Sequence, residues 1–429
     1  MTILPWAQLP KNIEEYLLRW AATQATAVWL QPNGYEYYPQ RPFKKLLAVG
    51  AKRWIKAKQQ EDFKRLYDFH QQQQSWLFGY LGYDLKNQLE ALSSQHPDAI
   101  GLPEMYFFEP QWLFMWEEAQ LQIKGDLPKG FWEEVMHTKE KEPTVTSSIQ
   151  IQQRFDRQTY LQTIEAIKQH ILEGDIYEMN FCMEFFAEKA VIDPLATFQQ
   201  LNAHSPMPFS TFLKLQHQYL LGASPERFLK KQGKQLISQP IKGTAKRSKQ
   251  PTEDQQIRQQ LYQSEKERAE NLMIVDLVRN DLARSAAIGS VKVAELFGVY
   301  SFPQVHQMIS TVQATLRDGA TWAEALKNAF PMGSMTGAPK IKAMQLIEQY
   351  ERTKRGLYSG AVGYITPTGD FDFNVVIRSI LYNAQAQYLS FQVGSAITYD
   401  ALPTQEYEEC LLKASAIIKT LEAHTNPIT

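Results

Sequence analysis

The chain has 429 residues, enough to bury a large core and to hold about two or three domains by length alone. Hydrophobic residues make up 44% and charged residues 21%, a globular composition, and a formal net charge of −1 supplies no basic field for nucleic acid or an anionic membrane. Cys182 and Cys410 stand far apart in no metal-ligand spacing, no apolar run is long enough to span a bilayer, and Met1 to Asn12 has no basic segment followed by an apolar one, so a cytoplasmic location is expected.

In chain order, the first ~135 residues are rich in Trp, Tyr and Phe, and Trp76 to Tyr83 reads as a buried strand with close packing at its glycines. Residues 137–149 are charged, then rich in Pro, Ser and Thr, and read as a linker or exposed loop between an N-terminal region (1–136) and a catalytic region (150–424). Asp156 to Glu173 spaces Tyr160, Ile164, Ile167 and Ile171 as one helical face and stops at Gly174. Pro251 to Arg284 is mostly helical in pattern, with Glu253 and Asp254 near its start, where they favour the helix dipole. Phe371 to Ile377 alternates as a strand, with Arg378 on the polar face. Thr404 to Leu421 is a final helix with Leu411, Ala414, Ile418 and Leu421 as its apolar stripe. The mixture predicts an α+β fold with sizeable antiparallel sheets.

Pro240-Ile241-Lys242-Gly243-Thr244 places a lysine at a strand end beside a glycine and a hydroxyl. Such an amine can act as a nucleophile, and the same pentapeptide also fits a solvated lysine. Glu267 and Glu270 share a helix face, and Glu406 and Glu409 repeat the spacing. Two such pairs could hold a magnesium ion, directly and through water, or serve in the ion pairs Lys266–Glu270 and Glu409–Lys413. Gly333 to Lys340 is a Gly-rich loop entering a helix, and Gly394-Ser395-Ala396 reads as a second small-residue turn; free amides at either could receive a carboxylate, or both could be plain turns. Arg378 could grip a carboxylate or make a structural salt bridge, and His306 could be an acid or base or a core histidine. No HExxH, no GxGxxG after a strand and no GxSxG occurs.

Taken in order, Ser224-Pro225-Glu226-Arg227-Phe228, the pentapeptide at 240–244, Glu267 to Asp281, Gly333 to Lys340, Ile377-Arg378-Ser379 and Glu406 to Lys413 resemble the chorismate-utilising enzymes, the family of anthranilate synthase component I and aminodeoxychorismate synthase component I. The resemblance is dense from about 150 to 424. It implies two large facing antiparallel sheets flanked by helices, chorismate as substrate, and Mg²⁺. By motif, it implies Glu270 and Glu409 as direct metal ligands with Glu267 and Glu406 acting through water. Gly394, Ser395, Ala396 and Lys413 would meet the ring carboxylate, and Tyr364 and Arg378 the enolpyruvyl carboxylate. Glu226 would assist loss of the C4 hydroxyl, His306 would lie near the enolpyruvyl side chain, and Gly243, Thr244 and Thr336 would line the ring.

Within the family, Lys242 resembles the aminodeoxychorismate branch, where anthranilate synthases carry Ala; Pro208-Phe209-Ser210 is similar to the same branch. The resemblance implies attack of Lys242 on C2 followed by ammonia at C4, giving 4-amino-4-deoxychorismate for 4-aminobenzoate and folate. An anthranilate synthase and a non-catalytic chorismate-binding subunit are the alternatives. No glutaminase module is recognisable, so ammonia is expected from a separate glutamine amidotransferase subunit. Three departures from the family pattern stand out: Glu178 where Gln is usual, Ala396 where Gly is frequent, and Leu30-Gln31-Pro32 where regulated anthranilate synthases read Leu-Glu-Ser.

Overall fold

The computed structural model describes residues 2–35, 37–58, 61–138 and 149–422. Most of the expected linker over 137–149 lies outside the described residues; His137 closes the helix Phe131–His137. Among the described residues every strand pairing is antiparallel, in line with the α+β expectation, and the twenty strands form one connected ladder.

The ladder has two halves. One runs through Thr26–Gln31, Phe209–Leu215, Gln218–Ser224, Ser379–Asn383, Tyr388–Ile397 and Glu178–Ala187. The other runs through Leu77–Leu81, Ala361–Ile365, Phe371–Asn374, Arg227–Gln232, Gln235–Gln239 and Val305–Thr315 to Ile241–Lys246. Met105–Trp116 is long enough to serve both, pairing with Leu46–Lys56 and with Leu77–Leu81. The N-terminal aromatic strands therefore complete the same core as the rest of the chain.

The chain crosses between halves at Ser224–Arg227 and again at Val375–Arg378. Ser224 Oγ donates to the Val375 carbonyl at 2.6 Å and the Val375 amide donates to the Glu226 carbonyl at 3.0 Å, so the two crossings are bonded to each other. The expected strand at 371–377 accordingly stops at Asn374. Its simple alternation is also corrected, because both faces are covered. Asp372 and Asn374 are as buried as Phe371 and Phe373 and find polar partners inside.

Helices cover the outside. Asp156 caps Arg157–Leu172 by accepting from the Thr159 amide at 2.7 Å, and Tyr160, Ile164 and Ile167 form its buried face. The long helical pattern from Pro251 is two helices, Pro251–Gln263 and Glu265–Ala283. Ser264 breaks the run and caps the second by accepting from the Glu267 amide at 3.3 Å, which fixes Glu267 in its first turn. The last helix, Pro403–Glu422, packs on the strand Tyr388–Ile397.

Candidate active site

Lys242 is aimed by a backbone irregularity. Ile241–Lys246 pairs with Val305–Thr315, and the register shifts between Ile241 and Thr244. Gly243 sits in the shift with φ +94°, a left-handed value that favours glycine. A Cβ there would lie 3.1 Å from Glu267 Oε2, so the position also sets how closely strand and helix approach. Asn271 Nδ2 donates to the Lys242 carbonyl at 3.4 Å, and Ser310 Oγ donates to Asn271 Oδ1 at 2.6 Å, tying the shift to the helix Glu265–Ala283. The Lys242 side chain is 10% exposed, and its Nζ donates to Glu178 Oε1 at 2.7 Å. That contact joins the ends of the two halves of the ladder.

Three carboxylates surround this amine. Burial disfavours the ammonium, but Glu178, Glu270 and Glu226 outweigh it and raise the Lys242 pKa above its ordinary value. Burial pushes Glu226 up to about 7, against the opposing bond from Ser334 Oγ at 2.6 Å and the charge of Lys242. Burial also pushes Glu270 up to about 7, with Lys242 opposing and Glu267 and Glu178 adding to the rise. Glu178 is buried, and its Oε2 has no hydrogen-bond partner among the described residues.

The two helix-borne pairs meet next to this cluster. Burial raises Glu267, which also feels Glu409, and burial with Glu409 beside it raises Glu406. Burial pushes Glu409 up, but Lys413, 2.6 Å away, outweighs it and holds the carboxyl below its ordinary value. These four are not drawn tightly together. Among the described residues, the group with three donor atoms mutually within 4.8 Å is His170, Glu173 and Asp175 at the surface, and there both His170 nitrogens already contact Asp175 and Tyr350. The wider glutamate set suits an ion that keeps several waters and takes one or two carboxylates directly.

Gly394-Ser395-Ala396 is not a turn. The three residues lie in the strand Tyr388–Ile397, opposite Cys182, Phe181 and Asn180. Glycine is needed at 394 because a Cβ would come within 2.5 Å of Cys182 Sγ and 2.9 Å of the Phe181 carbonyl. Lys413 Nζ donates to the Gly394 carbonyl at 2.8 Å, which brings the lysine to this strand. Gly333–Met335 is a short helical turn, Gly337–Ala338 pairs with Met179 and Glu178, and Pro339 caps the helix Lys340–Tyr350. Thr336 is fully buried and its carbonyl accepts from the Asn180 amide at 2.8 Å, whereas Thr244 is exposed.

Two expected residues lie elsewhere. Tyr364 packs among Phe43, Trp76 and Phe78, and its charged neighbours are Asp372 and Arg227, not Arg378. The tyrosine that faces Arg378 is Tyr358, on the turn before Gly360, and it accepts from Cys182 Sγ at 3.7 Å. His306 is also displaced, by strand alternation. Even-numbered residues of Val305–Thr315 point to the helices: Ser310 bonds Asn271, and His306 places Nε2 3.0 Å from Asp254 Oδ1 and Nδ1 2.9 Å from Ser301 Oγ. The opposite face carries Gln307 and Thr311; Thr311 accepts from Gln239, and Gln307 Oε1 is buried without a partner among the described residues. Arg378 itself has φ +52° and a half-buried side chain whose pKa desolvation lowers, with Tyr358 and Glu409 opposing.

Three contributors were missed or unexplained at the level of sequence. Glu178 was noted as a departure with no role, and only the fold sets it against Lys242. Ser334 was one small residue in a loop, with nothing to show that it bonds Glu226. Arg355 is fully buried, pairs bidentately with Glu351 at 2.6 and 2.9 Å, and donates to the Asn180 carbonyl at 2.8 Å and the Met335 carbonyl at 2.5 Å. It thereby locks the loop of Ser334 and Thr336 to the strand of Glu178.

Comparison with known proteins finds relatives over most of the chain. The family model described as chorismate binding enzyme matches residues 21–419. Anthranilate synthase component 1 of Thermus thermophilus is 34% identical over 80% of this chain and 77% of its own length. Aminodeoxychorismate synthase component 1 of Escherichia coli is 35% identical over 81% of this chain and 77% of its own length, and that of Bacillus subtilis 31% over 86% and 81%. The crystal structure of anthranilate synthase component I from Streptococcus pneumoniae superposes with a TM-score of 0.77 at 26% identity, covering 89% of this chain and 92% of that one. The menaquinone-specific isochorismate synthase of Escherichia coli shares the fold, with a TM-score of 0.79 at 17% identity over 98% of this chain and 93% of its own. With a family match over residues 21–419, nearly the whole chain, the protein belongs to the chorismate binding enzyme family.

Proposed function

We propose that this protein aminates chorismate at C4 with ammonia, giving 4-amino-4-deoxychorismate, the reaction its aminodeoxychorismate synthase relatives are named for. The observation that carries this reading is a buried lysine amine beside a carboxylic acid whose pKa is about 7. An acid poised near neutrality can protonate a leaving hydroxyl, and an adjacent amine can attack the ring from which it leaves. Lys242 is the nucleophile at C2 and Glu226 the acid at the C4 oxygen. Arg378, with Tyr358 at its side, receives one substrate carboxylate by charge-assisted hydrogen bonds. Gly394, Ser395, Ala396 and Lys413 receive the other, and Gly243, Thr244 and Thr336 bound the ring.

The donor set fits a divalent cation. Burial, with neighbouring carboxylates adding to it, raises the pKa values of Glu267, Glu270 and Glu406, a cost that a hard cation relieves. Glu270 and Glu409 would hold Mg²⁺ directly, and Glu267 and Glu406 through water. The ion when bound would neutralise a substrate carboxylate. Ammonia would come from a separate glutamine amidotransferase subunit, consistent with the "component 1" naming of the relatives.

The test is product identity. Protein incubated with chorismate, Mg²⁺ and ammonium should yield an aminated product that keeps the pyruvyl group. Anthranilate with stoichiometric pyruvate would overturn the assignment in favour of the anthranilate synthase relatives.

A further inference from the structure

Resting on that reading, we propose that Glu178 is the proton carrier for Lys242: it takes a proton from the ammonium before the amine attacks and gives it back when the amine leaves. An ammonium has no lone pair, so a buried lysine that acts as a nucleophile must first lose a proton to something within reach. Glu178 Oε1 lies 2.7 Å from Nζ, and among the described residues no other carboxylate is hydrogen-bonded to it. Bulk water is a poor alternative, since the lysine is 10% and the glutamate 1% exposed.

Two features suit Glu178 to the task. Its Oε2 is buried and has no hydrogen-bond partner among the described residues, so no other donor competes with Lys242 for this carboxylate. Its backbone is also fixed. Glu178 opens the strand Glu178–Ala187, pairs with Ala338, and follows Tyr177, whose amide donates to the Ala338 carbonyl at 2.7 Å. A held acceptor keeps the proton-transfer distance short throughout the reaction.

The balance closes. Lys242 passes one proton to Glu178 and becomes a neutral amine. The Nζ–C2 bond forms, the electron pair moves through the two ring double bonds, and the C4–O bond breaks, the departing hydroxyl taking the proton of Glu226 to leave as water. Ammonia then bonds to C4, the electrons return through the ring, and the C2–Nζ bond breaks with its pair going to nitrogen. Glu178 returns its proton to Lys242, and the new C4 ammonium reprotonates Glu226. Net, chorismate and ammonia become the aminated product and water.

The experiment measures kcat/KM for chorismate across pH with free ammonia held constant, for wild type, Glu178→Gln and Glu178→Asp. With Glu178 the proton stays inside the pair, so the reactive arrangement needs no loss of a proton to solvent. An amide in its place forces Lys242 to lose the proton to water, in the field of Glu270 and Glu226. Glu178→Gln is expected to be about 10²-fold slower near neutrality, with its ratio to wild type climbing as pH rises. Glu178→Asp keeps a carboxylate and should hold a ratio independent of pH. A Glu178→Gln ratio that is flat with pH, or near one throughout, overturns the proposal while leaving the amination reading intact. Wild type that makes no aminated product overturns the amination reading itself.

Discussion

Two buried clusters of charge lie a few residues apart in this molecule, and they are built on opposite terms. At Arg227 every donor is matched. Nε and Nη2 pair with Asp372 at 2.8 and 3.0 Å, Nη2 also donates to the Arg41 carbonyl, and Nη1 donates to Gln239 Oε1 and the Pro39 carbonyl. Its face also lies 5.0 Å from the Phe209 ring centre. At Lys242, further along the same half of the ladder, the charges do not cancel. Three carboxylates share one amine, Glu178 keeps a bare oxygen, and Glu226 and Glu270 are pushed up to about 7. The satisfied cluster pins the crossing between the two halves of the sheet. The unsatisfied one has interactions left for a substrate, and perturbed groups of this kind mark functional sites. Adjacent residues Glu226 and Arg227 belong to different clusters.

Variants can break this contrast from either side. The largest effect is expected from removing the amine. Lys242→Ala should lower product formation at least ~10⁴-fold, about 5 kcal/mol at roughly 1.36 kcal/mol per tenfold. Because it strands Glu178, a Lys242→Met, Glu178→Gln double variant should be equally inactive yet fold normally by circular dichroism and thermal melting. A rate unchanged in either variant removes Lys242 from the chemistry. Next in size, Arg227→Met leaves Asp372 buried without its cation and should lower stability by about 3–5 kcal/mol in urea titration. Adding Asp372→Leu should recover much of that loss, since replacing both partners removes the stranded charge. The smallest effect concerns pH. Glu226, raised to about 7, is a proton donor below that pH and a carboxylate above it. Wild-type kcat/KM should therefore fall about tenfold per unit above neutrality. Ser334→Ala removes a bond that holds the pKa down, so the limb should move to higher pH. A limb that stays in place in that variant belongs to another group.

Much of the architecture was legible in the chain. The helix expected over 156–173 and the final helix follow from apolar spacing that acts within a few residues, and the structure adds the Asp156 cap. The break at Ser264 was not legible, because both flanking segments are good helix and only the cap decides between one helix and two. The strand at 371–377 ended early for a tertiary reason, the bonding of Val375 to the other crossing. At the site two different causes act. Tyr358, on the turn before the strand of Tyr364, is the tyrosine beside Arg378, and His306 points to the helices because a shift of one position on its strand, to Gln307, changes the face.

What the residues alone determined were the chemical types and their order: a lysine before a glycine, two glutamate pairs at helical spacing, an acid in Ser-Pro-Glu-Arg-Phe and an arginine before a serine. These depend on local periodicity and on motif. Which of them meet was decided by the tertiary structure. Lys242 and Glu178 are 64 positions apart, and Glu226 and Ser334 are 108 apart. No local rule links such residues; the antiparallel ladder folds its two ends against each other and does so. Burial then supplies what composition cannot, because only exclusion of water makes three carboxylates compete for one amine and holds an acid near neutrality.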